Sequence, residues 1–396
     1  MSWLNIFKKS GPYSTISEKI SATSGYTNWL YSEKNALKIN AVWACVQLIS
    51  QTIGSLPVHV YHKNDKGDQE KVPGHRVKNL LGAEPNSMMT AVEYREAVLV
   101  NLLLTGNSYS LKSFNGGGEV VSVIPMPFDR IHVYMRGETK KYAYTTITGQ
   151  RVDIPASKIM HIKGFGYDGL EGLSPISYCC DSLGYAKSLE KTGKAVADNG
   201  MRQGGIISID AYLKADQREF LRDQYEDSHS GIDNAHKLMV LEGNMQFTPN
   251  AIPAKDAEFL GNREFQVAEI ARIYNVPPHM IGETSKTTTW GSGIEQMNIG
   301  FTTYTLRPYL TRLEQVYNRE LFTAKDRAQG YTVKLSIEGL LRGDSAGRSE
   351  FLSKMVNNGI MTRNEARQKE NLPKSDQDVA NQLTIQSQMV LGVVNE

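Results

Sequence analysis

Gly164-Phe165-Gly166-Tyr167-Asp168-Gly169 reads G-x-G-x-x-G, the spacing with which a strand-to-helix turn brings backbone amides up to a pyrophosphate. A strand from Lys158 to Lys163 precedes it and a helix follows, as a dinucleotide site requires. The details disagree. The third glycine belongs in the first turn of the helix, yet the capping residue, Ser174, comes five residues later. Asp210, the acid at the end of the next strand, lies about twice too far along for a ribose contact. A flexible strand-to-helix crossing is the better account, with a nucleotide-dependent enzyme using Gly164 to Gly169 as the alternative.

Other chemistry is thinner still. No G-x-x-x-x-G-K-[ST], H-E-x-x-H or C-x-x-C occurs. His161 lies between Met160 and Ile162 on a strand, and His279 follows two prolines, so both read as structural histidines. Cys45, Cys179 and Cys180 are too few for a disulfide framework, and adjacent cysteines on a helix do not meet in bridging geometry. Asp256 and Glu258 complement a helix N-terminus instead of forming a general acid and base. Nothing assembles a nucleophile, a base and an orienting group, so no cofactor and no metal is expected.

A polar segment, Glu283 to Gly293, carries Lys286 and one aromatic, Trp290. Two helices must position it. Phe259, Leu260, Val267, Ile270, Ala271 and Tyr274 recur at helical spacing before it, and Pro277 and Pro278 are expected to end that helix. Ile294, Met297, Phe301 and Tyr304 resume the period, which runs through Leu310, Leu313, Val316 and Tyr317 to Phe322. Pro308 in its middle predicts a kink near Tyr304.

The remaining elements follow from local signals. Val42, Cys45, Val46, Ile49 and Ile53 form a helical face ending before Leu56-Pro57, and Val58 to His62 alternate as a strand. Thr90 with Glu93 is a capping box opening a helix that Gly106 stops. Tyr109 to Phe114 and Glu119 to Ile124 flank a glycine hairpin turn; Arg130 to Tyr134 and Lys141 to Thr146 are further strands. Ser174 and Pro175 open a helix expected to run unbroken to Asn199-Gly200. Gly205 to Ile209, a helix over about 215–228, and strands 237–241 and 245–248 make a small β-α-β-β unit. Thr332 to Ile337 is a strand, a helix capped by Asp344 stops at Gly359, and Thr362 with Glu365 caps another leading to Pro373.

The chain has 396 residues, with 44 Lys plus Arg against 42 Asp plus Glu. A tight nucleic-acid binder is far more basic, because affinity scales with the phosphates neutralised. A net charge of +2 fits a surface along which duplex slides better than one that grips it. No apolar run reaches membrane-spanning length, and the first residues lack the apolar core of a signal peptide, so work in water is expected.

Several strings together carry a resemblance. They are Asp256-Ala257-Glu258-Phe259-Leu260, Glu269-Ile270-Ala271-Arg272-Ile273-Tyr274, Val276-Pro277-Pro278-His279-Met280-Ile281-Gly282, Glu295-Gln296, and Thr305-Leu306 with Pro308. Upstream they are joined by Asn40-Ala41-Val42-Trp43-Ala44-Cys45-Val46, Leu56-Pro57, Glu84-Pro85-Asn86 with Met89-Thr90, and Gly106-Asn107 with Tyr109. The chain resembles the tailed-bacteriophage portal protein family from Asn40 to about Pro373. Residues 1–35 and the C-terminal tail depart from the pattern.

The resemblance implies a non-enzymatic, mixed α+β subunit. Its parts would be a mobile arm (1–35), an α/β wing (36–173), stem helices (174–200 and 253–276), a clip (201–252), a tunnel-loop region (277–293), a kinked long helix with a wing strand (294–341), and a helical crown and tail (342–396). It implies a closed homo-oligomeric ring, dodecameric in virions, at one capsid vertex, assembled in the host cytoplasm away from membranes. Such a ring passes double-stranded DNA without reading its sequence. It nucleates capsid assembly with the major capsid protein and scaffold, docks the terminase large subunit and later holds a head-tail adaptor. By the same resemblance Ser285, Lys286, Thr287, Thr288, Thr289 and Trp290 line the constriction, where a ring of lysines and hydroxyls touches phosphates weakly. Arg218, Arg222, Asp223 and Glu226 would meet terminase or adaptor on the clip, and Pro308 would set the kink. A ring-forming protein unconnected to DNA is the remaining rival.

Overall fold

Val42, Cys45, Val46, Ile49 and Ile53 are buried together on one face of helix α1, Asn40–Gly54, in the computed structural model. The structure describes residues 33–63, 69–198, 205–208, 212, 214–220, 223, 245–249, 256–283, 292–337, 345–370 and 372–383. Pro57 cannot extend a helix, and strand β1, Val58–Lys63, begins directly after it. Strand β2, Gln69–Lys71, pairs antiparallel with β1. Helix α2, Arg76–Gly82, buries Val77, Leu80 and Leu81; the His75 ring nitrogen Nδ1 caps it by accepting from the Val77 amide.

Helix α3, Ala91–Thr105, starts on the expected capping box: the Thr90 hydroxyl accepts from the Glu93 amide, and the Glu93 carboxylate accepts from the Thr90 amide. It stops at Gly106, whose φ of 72° places it in the left-handed region. Packing reinforces that choice, since a Cβ on Gly106 would lie 2.0 Å from the Leu173 carbonyl oxygen.

Strands β3 (Asn107–Phe114), β4 (Val120–Pro125), β5 (Ile131–Arg136), β6 (Thr139–Thr145), β7 (Arg151–Ile154) and β8 (Ile159–Lys163) form two antiparallel sheets, ordered β4-β3-β8 and β5-β6-β7. Tyr109, Met126, Ile131, Tyr142 and Ile159 make a small core between them. The larger core joins α1, α3 and β1 to the C-terminal helices.

A one-turn helix, α4 (Pro175–Tyr178), and the 19-residue helix α5 (Cys180–Asp198) follow. The unbroken helix expected from Ser174 is interrupted at Cys179, where φ is −110° and ψ 23°. Ser174 caps as expected, accepting from the Ser177 amide, and its hydroxyl also donates to the Leu104 carbonyl at 2.9 Å, pinning the first turn to the end of α3. Asn199-Gly200 lies outside the described residues. Strands β9 (Gly205–Ser208) and β10 (Gln246–Pro249) pair antiparallel, with helical backbone at 215–220; the strand expected at 237–241 lies outside.

Helix α6, Asp256–Ile273, leads towards α7, Ser292–Gly300, and α8, Arg307–Glu320. After α9, Ala324–Ala328, strand β11, Tyr331–Leu335, pairs antiparallel with β1 from Val58 opposite Leu335. This pairing closes the N-terminal part onto the C-terminal part. Helices α10 (Ser345–Asn357) and α11 (Arg363–Lys369) follow, Thr362 with Glu365 forms the expected capping box, and a 3-10 turn, Asp378–Asn381, ends the described fold.

Gly106→Ala combines a strained φ with a backbone clash, so it should lower unfolding free energy by more than about 1 kcal/mol. Thr90→Ala, which loses only the cap, should cost about 1 kcal/mol. Urea titrations of the two variants check the order, and Gly106→Ala being the milder would contradict it.

Candidate functional site

Helix α6 ends before the prolines are reached. Asn275 takes a φ of 53°, the positive value that short polar side chains tolerate better than most. Its amide donates to the Arg272 carbonyl at 3.1 Å, and the Val276 amide donates to the Ala271 carbonyl at 2.9 Å. These two bonds are a Schellman stop. The expectation that Pro277 and Pro278 terminate the helix is therefore corrected: the left-handed asparagine does, and Pro278 opens the 3-10 turn Pro278–Ile281, closed by Gly282.

Downstream the backbone changes register. Phe301–Leu306 is π-helical, and Pro308 sits in the first turn of α8. Proline has no N–H to give, so the Tyr304 carbonyl four residues earlier loses its α-helical donor. Asn275 supplies a replacement: its Nδ2 donates to the Tyr304 carbonyl at 3.3 Å. The Thr305 hydroxyl donates in return to the Asn275 carbonyl. A reciprocal clamp thus joins the end of α6 to the π segment, with Tyr274, Val276, Phe301 and Leu306 buried around it.

The glycine turn after β8 has a different organisation from a dinucleotide cradle. Its carbonyls accept from cations, and the amides of Leu170 and Glu171 are already taken by the Asp168 carboxylate. Arg312 Nη1 donates to the Gly164 carbonyl at 2.7 Å, Lys163 Nζ to the Gly169 carbonyl, and Lys140 Nζ to the Leu170 carbonyl at 2.5 Å. The Gly164 amide is taken by the Gly106 carbonyl at 2.7 Å. The helix that follows is the short α4, which begins well after Gly169. A dinucleotide site holds its pyrophosphate on free amides at a helix N-terminus, and this turn offers neither in place.

Beneath the turn, the side chain of Asn107 reads the Gly172 peptide from both sides, accepting from its amide at 2.7 Å and donating to its carbonyl at 2.8 Å. That fixes Asn107 Oδ1 as an acceptor, so His161 Nε2 donates to it at 3.0 Å. His161 Nδ1 is then the acceptor for Lys140 Nζ at 2.9 Å. Burial, reinforced by Lys140, Lys163 and Arg319, pushes His161 down to about 2, so the ring is neutral. Burial and the neighbouring Lys163 likewise bring Lys140 down to about 8. Among the described residues no group of three or more His, Cys, Asp or Glu side chains could hold a metal ion.

Comparison with known proteins decides what this architecture is. The phage portal protein family model matches residues 40–371. The portal protein of Enterobacteria phage HK97 is 36% identical over 346 residues, covering 86% of this chain and 80% of that one. The chain belongs to the phage portal protein family. The probable portal protein of Streptomyces phage phiC31 is 33% identical over 361 residues, covering 89% of this portal chain and 78% of its own. Two solved structures share the fold. A chain in the virion of a native gene transfer agent particle has a TM-score of 0.60 at 24% identity, over 89% of this chain and 95% of its own. An HK97 family phage portal protein from Corynebacterium diphtheriae has a TM-score of 0.59 at 18% identity, over 80% and 98% respectively. As a portal protein the chain has its place at a capsid vertex of the virion, in the head-to-tail connection. No helix among the described residues is long and apolar enough to cross a membrane.

The sequence-derived site residues fall unevenly on this portal fold. Ser285, Lys286, Thr287, Thr288, Thr289 and Trp290 lie outside the described residues, as do Arg222 and Glu226 on the expected clip. Arg218 and Asp223 are exposed. Pro308 stands where the π segment gives way to α8. The Asn275–Thr305 clamp was not anticipated, although an asparagine directly after an apolar helix and before Val-Pro-Pro is a readable stop. Nor was the convergence of Arg312, Lys163 and Lys140 on the glycine turn.

Asn275→Gly keeps the left-handed backbone and loses the bond to Tyr304, so it should cost about 1 kcal/mol. Restoring an N–H with Pro308→Ala should shrink that cost, and a double-mutant cycle in urea measures the coupling; strict additivity would contradict the clamp. His161 gives a second test. Its folded value lies far below the ordinary 6.5, so as pH falls through 6.5 the unfolded chain takes a proton that the native chain refuses. Stability should drop by up to about 1.4 kcal/mol per pH unit below that point. His161→Gln should flatten the slope, and equal slopes in urea unfolding between pH 7 and 5.5 would contradict the neutral histidine.

Proposed function

We propose that this portal chain closes into a ring of twelve subunits through which double-stranded DNA enters and leaves the capsid. The observation carrying this reading is the clamp at Asn275, Tyr304 and Thr305, which joins the chain before segment 284–291 to the chain after it. A related fold, 24% identical with a TM-score of 0.57, occurs in the neck of a native gene transfer agent particle computed with C12 symmetry. In a ring every subunit uses one heterologous contact, and closure requires only that the rotation be an exact fraction of a turn.

In this reading residues 36–173 are the wing, 174–200 and 253–276 the stem, 201–252 the clip, and 342–396 the crown and tail. Segment 277–293 is the tunnel-loop region, and Ser285 to Trp290 face the channel. Lys286 and the threonine hydroxyls then meet phosphates singly and weakly, which suits movement along any sequence. Arg218, Arg222, Asp223 and Glu226 on the clip would contact the terminase large subunit and later a head-tail adaptor. Capsid protein and scaffold would meet the wing during nucleation. Near-neutral net charge supports passage over grip.

Lys286→Ala should leave portal assembly intact and lower the DNA packaged per particle. Complementation of a portal-deficient phage, scored by nuclease-protected genome per particle, measures it. Unchanged packaging and genome retention would remove Lys286 from the channel wall.

A further inference from the structure

Between the glycine turn and α8 lies a cleft of about 300 Å³ whose charged lining is Lys163, Arg312, Arg319 and Glu171, with His161 in its wall. Three cations face one acid. Among the described residues neither Lys163 nor Arg312 has a carboxylate partner; each donates to a main-chain carbonyl, a dipole that leaves the full charge in place. Arg319 shares Glu320 with Lys112, so one carboxylate there serves two cations. The single acid of the cleft, Glu171, accepts from the Tyr109 hydroxyl at 3.1 Å and is raised by burial.

The opposite wall is glycine backbone. A Cβ on Gly166 would lie 2.6 Å from the Glu171 carbonyl oxygen, so the outgoing and returning arms of the turn are packed against each other. His161 and Lys140, set just beneath, both respond to an excess of positive charge, since each is held down in part by Lys163. Guanidinium and ammonium groups short of anionic partners are complementary to an ion with several acceptors and no donor.

We propose that this cleft binds a small phosphate-type oxyanion, held by Arg312, Lys163 and Arg319. Side chains bind it, unlike the amides of a dinucleotide site. The site is complete within one chain, so it holds whether or not a ring closes.

Calorimetric titration of the purified full-length chain with inorganic pyrophosphate, in a low-salt buffer free of phosphate, tests it. The chain should show saturable binding that weakens at least about tenfold in Arg312→Gln and in Arg319→Gln. The Arg319 side chain is 65% exposed, so Arg319→Gln keeps the fold even where Arg312→Gln loosens the turn. Arg151→Gln, an exposed cation on β7, should bind as the parent does. ATP binding more tightly than pyrophosphate would identify a nucleotide as the phosphate source, and equal binding a free phosphate; both support the site. No saturable heat, or equal binding by all the variants, would overturn it and leave the cations as supports of the glycine turn.

Discussion

Lys112 on β3 and Glu320 at the end of α8 approach to 2.5 Å, with the lysine side chain only 5% exposed. Ion pairs so sheltered add little net stability over an apolar pair, but losing one partner strands a charge at a cost of about 3–5 kcal/mol. The fold therefore depends on α8 reaching β3. Arg76 reinforces the same junction, donating to the Val120 and Leu321 carbonyls and to Asp326 at 2.8 Å. One end of the long α7–π–α8 run is thus fastened to the N-terminal sheets.

The π segment from which α8 starts is fastened to the end of α6. Pro308 removes a donor, the π segment absorbs the change in register, and Asn275 satisfies the carbonyl left behind. A helix held at both ends acts as a strut. Segment 284–291 lies in the chain between the two partners of that clamp, Asn275 and Thr305. In the proposed reading this divides the labour: a braced subunit body carries a polar segment, Glu283 to Gly293, whose lysine and hydroxyls would meet phosphates without reading bases.

Legibility followed locality. The capping boxes at Thr90 and Thr362, the stop at Gly106 and the glycine hairpin between β3 and β4 rest on neighbours in the chain, and each stands where the spacing placed it. Strand β7 was missed because Arg151–Ile154 is only four residues long and largely exposed, so its Val152/Ile154 alternation is too short to stand out. Helix α2 was missed because it is short and its cap is a histidine ring, although Val77, Leu80 and Leu81 carry the helical spacing. The break at Cys179 has no glycine or proline at it to announce it, and the Ser174–Leu104 bond that pins the preceding turn lies in no window of sequence. At the candidate site, resemblance pointed to the polar segment and to Pro308. It was silent on Arg312 and Lys163, which meet at the glycine turn only after the chain has folded back across more than a hundred residues.

The most direct test is a cryo-EM reconstruction of the purified, assembled chain. The account predicts a closed twelvefold ring with an axial hole, narrowest where residues 285–290 face inward. An open or solid assembly, or a ring carrying that segment on its outer face, would contradict it.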